Sequence, residues 1–329
     1  MTTTTAHSLP PTTAVPSATV GYGSLRKPTA DSLHPPLSLS IPDKNWLAIY
    51  SDLFKARLTT LALFTMLAGF YLGFRGHMDY LRMLHALLAT GLVASGASAL
   101  NQLWERKLDA TMRRTQDRPL PAGNLRPGTV LLIGCSTSLA GLIYLALAVN
   151  RITALLGAAS LLSYIFVYTP LKRVTWLNTV VGAVPGALPP LMGWTAARGE
   201  ISAEGLGLFA IQALWQVPHF LAIAWIYRDE YAKAGFKMLP VIDPEGRRCG
   251  RQAVLFTLAL MPISVSPFYF KIAGPVYLCG ALVLGALFLW SAIQFRRDLT
   301  LARARQLFYL SVLYLPLLLA VMALDKARS

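Results

Sequence analysis

Stretches of about 20 apolar residues recur along this chain from residue 52 onward, and they constrain its fold more than any other feature. A helix of that length crosses the ~30 Å hydrocarbon core of a bilayer. The stretches show no alternation of polar and apolar residues, which argues against a transmembrane barrel because its strands need that alternation. The sequence therefore predicts an all-α, polytopic protein embedded in a lipid bilayer. We place nine spanning helices at 52–74, 81–100, 127–149, 152–169, 176–196, 205–226, 252–270, 274–295 and 306–323.

The basic residues are concentrated in alternate loops between these spans. The chain has 30 Lys and Arg against 15 Asp and Glu, and most of the 30 precede the first span or lie in the second, fourth, sixth and eighth loops. Loops rich in Lys and Arg stay in the cytoplasm or its organellar equivalent. The positive charge is therefore a topology signal and does not indicate nucleic-acid binding. We expect the bacterial inner membrane, with the mitochondrial inner membrane as the alternative.

The first 45 residues differ in composition from the rest of the chain. They are rich in Thr, Ser and Pro and lack hydrophobic periodicity, so we expect a disordered tail followed by one membrane domain over 46–329. They carry no apolar signal-peptide core, and Arg is too sparse to identify a transit peptide.

The three cysteines are scattered and predict neither a zinc site nor a disulfide framework.

A charged segment, ALNQLWERKLDATMRRTQDRPLPAG at 99–123, separates the second and third spans. On a helix, residues four apart are offset by only ~40° around the helix axis. Asn101, Glu105 and Asp109 therefore form a ladder of oxygen ligands on one face, at an exposed helix end. Mg²⁺ commonly binds through one or two carboxylates plus a substrate's phosphates, and guanidinium groups match phosphate oxygens. The segment predicts a metal–diphosphate site, and an ordinary charged loop is the alternative. The arginines that follow the ladder are Arg113, Arg114 and Arg118.

Two later spans contain residues that are unusual in a spanning helix. Pro185, Pro189 and Pro190 are expected to interrupt the fifth span and to free backbone carbonyls, which must be satisfied inside the bundle or by a cavity. A kink of purely packing origin is the alternative. The sixth span contains Gln216 and His219 at membrane depth, where polar groups usually face an interior cavity. His219 could contact a substrate or a metal, or it could be a hydrogen-bonded interior histidine.

A second charged segment, at about 227–251, follows the sixth span and begins with the acids Asp229 and Glu230. The positive-inside pattern places it on the same side of the membrane as the first charged segment. His219 lies ten residues before Asp229, which is ~15 Å deeper along a straight helix. That depth is too great for direct contact with a phosphate held by Asp229.

The motifs around these residues resemble those of a known family. They are N-x-x-x-E-x-x-x-D with RT-x-x-RPLPAG, then YTPLKR-x-T-x-x-NT-x-x-GA-x-PGA-x-PP-x-x-GW, then WQ-x-PHF with the second acidic segment. Together they are similar to the haem-modifying branch of the UbiA-type intramembrane prenyltransferases, over roughly residues 52–324. The resemblance implies a nine-helix bundle with a central membrane-facing cavity. It also implies transfer of a farnesyl group from farnesyl diphosphate to a vinyl group of haem B. The product would be haem O, for haem–copper oxidase biogenesis, with a haem A synthase as downstream partner.

The resemblance also implies roles for single residues, with Mg²⁺ as the cofactor. The catalytic metal ligands would be Asn101, Glu105, Asp109, Asp229 and Glu230. The diphosphate would be bound by Arg114, Arg118, Tyr168 and Lys172, and the haem acceptor would lie near Gln216 and His219. Two departures from the family pattern are visible. LFKARLTTL lacks the proline expected between Lys55 and Arg57, and the second motif reads DEY. Neither departure removes a type of metal ligand.

Two other functions remain as alternatives. A transporter would also have broken helices and polar groups near the midplane. It should carry charges within its spans, whereas the acids here lie at helix ends. An aromatic prenyltransferase of quinone biosynthesis would share both acidic motifs, and an assay of haem B against 4-hydroxybenzoate as acceptor separates it from a haem-modifying enzyme.

Overall fold

The computed structural model describes Met1 and residues 44–327, so the predicted N-terminal tail lies almost wholly outside the described residues. Within 44–327 the fold is all-α, as predicted, and the only extended pairing is an isolated bridge between Ala273 and Lys326. A π-helical segment, Ser163–Tyr168, connects α5 to α6. The α-helices of this part are α1 (Trp46–Leu53), α2 (Ala56–Gly73), α3 (Tyr80–Asp109), α4 (Pro127–Ala148), α5 (Arg151–Leu162), α6 (Thr169–Leu171), α7 (Asn178–Arg198), α8 (Ala203–Ile226), α9 (Arg228–Lys233), α10 (Leu239–Ile242), α11 (Arg247–Tyr269), α12 (Pro275–Arg297) and α13 (Leu301–Leu324).

Nine helical stretches in the described part are long and apolar enough to cross a membrane, which confirms the predicted number of spans. They are α2, α3, α4, the combined stretch Arg151–Leu171, α7, α8, α11, α12 and α13. In the text below, the polar end of the bundle is the end at which α3 stops and α4 begins. The opposite end is the one at which α7 stops and α8 begins.

The boundaries of the first two spans differ from the prediction of 52–74 and 81–100. The first is divided, because Lys55 adopts a left-handed conformation (φ 47°) that separates the short helix α1 from α2. Trp46 and Leu47 on α1 are 67% and 83% exposed, which suits a helix lying at the membrane surface. The second span is longer than predicted, since α3 continues for 30 residues and ends only at Asp109.

Small residues allow neighbouring helices to approach closely, as the Ala-, Gly- and Ser-rich composition of α3 predicts. A Cβ atom added to Gly96 on α3 would lie 2.7 Å from the carbonyl oxygen of Gly134 on α4. The contact between α2 and α7 is closer still, because a Cβ at Gly193 would lie 1.9 Å from the carbonyl oxygen of Met66. Any side chain at either position would push the two backbones apart.

The central helix α7 packs against α2, α5 and α8, and it is the most buried of the nine spans in the described part. The expectation that its prolines interrupt the span is wrong, because α7 is continuous from Asn178 to Arg198. Neighbouring side chains replace two of the hydrogen bonds that the prolines remove. Pro189 cannot donate to the carbonyl of Pro185, and Ser160 Oγ donates to it at 3.2 Å. Pro190 cannot donate to the carbonyl of Gly186, and Gln212 Nε2 donates to it at 3.3 Å.

Candidate active site

The predicted ladder of oxygen ligands is present on the last turns of α3, and it is buried. Asn101, Glu105 and Asp109 are 0%, 5% and 1% exposed. The expectation of an exposed helix end is therefore wrong, because the loop at 110–126 folds back over the ladder. Thr115 Oγ1 in this loop donates to the carbonyl oxygen of Asp109 at 2.8 Å.

Each side chain of the ladder is paired with a basic residue from a different segment of the chain. The three pairs are Lys55 Nζ donating to Asn101 Oδ1 at 2.6 Å, Lys172 Nζ to Glu105 Oε1 at 2.7 Å, and Arg118 to Asp109 Oδ2 at 2.7 Å. The basic residues come from the start of α2, from the end of α6 and from the loop after α3. Two carboxylates and an amide therefore face three basic side chains in one place, an arrangement that suits a metal ion and a diphosphate.

Lys55 is a site residue that sequence reasoning missed. From the sequence it is one of several charges that set the topology. Its left-handed backbone turns the side chain into the bundle, where Nζ also lies 3.4 Å from the hydroxyl of Tyr164. Burial, together with the nearby charge of Arg118, lowers the pKa of Lys55 to about 7. A lysine at the start of the first span, in the segment that departs from the family pattern, was the available signal.

The predicted pair Tyr168 and Lys172 lies at the same place, and the π-helical segment positions it. Such segments are frequent at functional sites. The ammonium of Lys172 lies 4.6 Å from the centroid of the Tyr168 ring. Burial opposes its charge, but Tyr168 and Glu105 outweigh that effect and raise the pKa of Lys172, so it stays protonated. The Tyr168 ring packs directly on Gly182 of α7, where an added Cβ would lie 2.4 Å from the ring.

The second charged segment reaches the first one through Arg114. The backbone N–H of Arg114 donates to Glu230 Oε2 at 3.4 Å, and the Arg114 guanidinium donates to the Tyr231 hydroxyl at 3.1 Å. The guanidinium also lies 5.1 Å from the centroid of the Tyr227 ring. Of the two acids predicted in this segment, Glu230 thus approaches the first charged segment, whereas the side chain of Asp229 is 88% exposed. Within the described residues, no three His, Cys, Asp or Glu side chains form a cluster that could hold a metal ion.

A cavity of about 400 Å³ opens beside the ladder at the polar end. Acidic lining comes from Asp52 and Asp117. The chain before α1 is tied to the loop at 110–126 by Lys44, whose Nζ donates to the carbonyl oxygen of Asp117 at 2.8 Å. The cavity is positively charged and is large enough for the polar head of a diphosphate. Its basic lining residues are Lys44, Lys55, Arg57, Arg114 and Arg118.

The predicted acceptor residues lie deeper in the bundle, on α8. His219 Nδ1 is hydrogen-bonded to Ser311 Oγ at 2.8 Å, and its ring stacks on Trp215 and Phe308 with centroid distances of 5.0 and 5.2 Å. Gln216 Nε2 donates to a backbone carbonyl of its own helix at 3.2 Å. One nitrogen of His219, Nδ1, is thus satisfied by a residue of the neighbouring helix α13.

The geometry defines an intramembrane helical protein with a buried cation–carboxylate site at one end, and comparisons with known proteins agree. The model of the UbiA prenyltransferase family matches residues 62–315. A protohaem IX farnesyltransferase of Solibacter usitatus is 47% identical over 84% of this chain and 98% of that protein. The protohaem IX farnesyltransferase of Koribacter versatilis is 42% identical over 90% of this chain and 99% of its own length.

Solved structures show the same fold at low sequence identity. A digeranylgeranylglyceryl phosphate synthase superposes with a TM-score of 0.73 at 16% identity, covering 85% of this chain and 98% of its own. A UbiA homologue from Archaeoglobus fulgidus, bound to GPP and Mg²⁺, superposes with a TM-score of 0.60 at 16% identity, covering 83% and 99%. The chain therefore belongs to the UbiA prenyltransferase family, in the branch formed by the protohaem IX farnesyltransferases.

Proposed function

We propose that this protein transfers the farnesyl group of farnesyl diphosphate to a vinyl group of haem B and so makes haem O. The observation that carries the proposal is the buried ladder on α3, in which three ladder oxygens accept hydrogen bonds from three basic side chains beside a positively charged cavity. A diphosphate substrate explains why acids and bases are buried together at a membrane surface. The relatives that are 42–47% identical over most of the chain supply the identity of the two substrates.

The residues of the ladder fit Mg²⁺ as the cofactor. Glu105 and Asp109 are buried carboxylates four residues apart on one helix face, and the amide of Asn101 lies on the same face four residues before Glu105. A magnesium ion held by one or two carboxylates and the substrate's phosphates does not need a cluster of three acids. When bound, it would neutralise charge on the diphosphate. The exposed Asp229 and the nearer Glu230 are the proposed ligands from the second charged segment.

The basic residues of the site hold and activate the leaving group. When the bond between C1 of the farnesyl group and the diphosphate oxygen breaks, the electron pair leaves with the diphosphate. Lys55, Arg118 and Lys172 already lie around the ladder, so each can turn a donor toward a phosphate oxygen without large movement. Donors placed where charge develops lower the barrier without reorganisation at the moment of reaction.

The farnesyl cation then bonds through C1 to the terminal carbon of a haem vinyl group. Water adds to the other vinyl carbon and loses a proton, which gives the hydroxyethylfarnesyl side chain. The site must keep water away from the cation until the new carbon–carbon bond has formed. His219, stacked between Trp215 and Phe308, is proposed to contact the haem acceptor beneath the diphosphate through Nε2. A haem A synthase is the downstream partner that this product implies.

The polar end is proposed to face the cytoplasm of a bacterial inner membrane, with the mitochondrial inner membrane as the alternative. Both charged segments lie at this end, and they contain Arg106, Lys107, Arg113, Arg228 and Arg248 besides the site residues. Such loops are retained on the cytoplasmic side.

The proposed function is tested with purified protein, farnesyl diphosphate and Mg²⁺, with haem B or 4-hydroxybenzoate as acceptor. We expect haem B to be consumed and a product with one farnesyl group and one hydroxyl group added, which mass spectrometry identifies. No conversion of 4-hydroxybenzoate is expected. Prenylation of 4-hydroxybenzoate with no haem product would instead assign the protein to quinone biosynthesis.

A further inference from the structure

The opposite end of the bundle has a second, smaller cleft with a volume of about 40 Å³. It lies where α2 and α7 end, α8 begins, and the turn between α11 and α12 meets the C-terminal segment. Glu204 is the only acid among the described residues that line it. The basic lining residues are Arg75, Arg198, Lys271 and Lys326.

The positive charge of this cleft exceeds the negative charge of Glu204, the one acid among its described lining residues. Among the described residues, none of its four basic side chains takes part in a salt bridge. Lys326 Nζ instead donates to the backbone carbonyls of Tyr71 and Phe74, at 2.7 and 2.9 Å. Burial and then the charge of Arg198 lower the pKa of Lys326 to about 8. Four basic side chains around one acid leave a net positive charge, which attracts an anion.

The same cleft contains unsatisfied hydrogen-bond donors. The indole Nε1 of Trp194, a residue only 2% exposed, and the Nε of Arg198 are buried and have no acceptor among the described residues. Both residues line the cleft, and the Arg198 guanidinium lies 5.2 Å from the centroid of the Trp194 ring. A buried donor without an acceptor destabilises a fold. A ligand with negatively charged oxygens would supply acceptors and compensate the charge together.

We propose that this cleft binds the phosphate group of an anionic phospholipid from the membrane leaflet at the opposite end of the bundle. The cleft lies at the level of the helix ends, where headgroups lie, and basic pockets between spanning helices bind such headgroups. Phe270 lines the cleft and is 41% exposed, so it offers apolar surface to an acyl chain.

The carboxylates of the haem substrate are a poorer match for this cleft. Glu204 at the cleft and His219 in the proposed acceptor site lie 15 residues apart on α8, which is ~22 Å along the helix. A haem bound at His219 is too small to span that distance. The site therefore adds a lipid contact that is separate from the proposed reaction.

The test uses the full-length protein in mild detergent, with native mass spectrometry to measure binding of phosphatidylglycerol and phosphatidylcholine. Arg75→Gln and Arg198→Gln each remove one charge from the cleft. Arg151→Gln is the matched control, because Arg151 is an exposed arginine at the same end but does not line the cleft. A cation beside an anionic headgroup contributes ~1 kcal/mol. The Kd for phosphatidylglycerol should therefore rise about fivefold in each cleft variant and stay unchanged in Arg151→Gln.

Phosphatidylcholine should bind more weakly than phosphatidylglycerol to the unsubstituted protein. Equal affinity for the two lipids, or an equal loss in Arg151→Gln, would overturn the proposal. Inorganic phosphate that raises the thermal unfolding temperature as much as phosphatidylglycerol would assign the cleft to a soluble anion and would also overturn it. If Arg198→Gln does not fold, the result for Arg75→Gln decides the test, because Arg75 is exposed.

Discussion

Asp109 shows at the scale of one residue how this site combines burial with charge. Its carboxylate is 1% exposed and is paired with Arg118 at 2.7 Å. Loss of one partner would leave the other buried and unpaired, which is strongly destabilising. Asparagine is therefore a better replacement than alanine, because it keeps the shape and one acceptor oxygen while it removes the negative charge.

Asp109→Asn is expected to lower the turnover number by ~10²-fold or more, since it removes a charged ligand from the proposed metal–diphosphate site. Steady-state assays in saturating Mg²⁺ measure the effect, and thermal unfolding checks that the variant is folded. Asp298→Asn is the matched control, because Asp298 contacts Arg303 and Thr300 outside the site, and this variant should keep full activity. A variant at Asp109 with more than about a tenth of the original activity would remove Asp109 from the set of metal ligands.

His219→Ala is expected to raise the KM for haem B or to lower kcat, with little change in the KM for farnesyl diphosphate. The reason is the depth of His219 in α8, well away from the ladder on α3. Ser311→Ala is the companion variant, because it removes the hydrogen bond to Nδ1 and leaves the ring stacked. If both variants lower only the thermal stability and leave haem kinetics unaltered, His219 is an interior packing residue.

At the scale of the elements, the site depends on how closely α7 approaches the π-helical segment. Gly182 gives the Tyr168 ring room to lie against the α7 backbone, and Tyr168 in turn lies beside Lys172. The hydrogen bond from the backbone N–H of Lys237 to the carbonyl oxygen of Lys172, at 2.7 Å, joins the second charged segment to the same place. The position of one ammonium group is thus determined by three separate elements.

Gly182→Ala is expected to lower kcat by ~10- to 100-fold, because an added Cβ displaces the Tyr168 ring and with it Lys172. The measurement is turnover at saturating substrates, with circular dichroism as a check on helix content. Gly285→Ala is the matched control, since a Cβ there meets Met261 at an ordinary contact distance of 3.5 Å. Unchanged turnover in Gly182→Ala would show that the position of Tyr168 does not limit the reaction.

At the scale of the whole molecule, the two charged segments lie at one end of the bundle and the basic cleft lies at the other. The residues that follow α13 hold the opposite end of the bundle together. The backbone N–H of Gly274 donates to the carbonyl oxygen of Asp325 at 2.9 Å, and Lys326 reaches back to the end of α2. The proposed diphosphate chemistry and the proposed lipid contact therefore belong to opposite membrane surfaces.

Cysteine labelling tests this arrangement in intact cells and inverted vesicles, with a variant that lacks the three native cysteines. Cysteines at Gln116 and Lys237, both exposed at the polar end, should react with an impermeant reagent only from the cytoplasmic side. A cysteine at Glu200, exposed at the opposite end, should react only from the other side. Labelling of Gln116 and Lys237 from different sides would refute the paired arrangement of the charged segments.

The sequence by itself determined the number of spans, their order and the ladder on one face of a helix. These properties follow from local periodicity and length, since ~20 apolar residues must form a helix in lipid and residues four apart share a face. The motifs also place the residue types expected around a diphosphate in a short stretch of chain.

Only the tertiary structure decided which basic residue faces which ladder oxygen, that Lys55 belongs to the site, and that Asp109 is buried. The continuity of α7 was decided there too, because the carbonyls that its prolines leave free are satisfied by Ser160 and Gln212 on other helices. These contacts join residues that are far apart in the chain, such as Lys172 and Glu105. Their formation depends on how the helices pack, and no local pattern in the sequence records it.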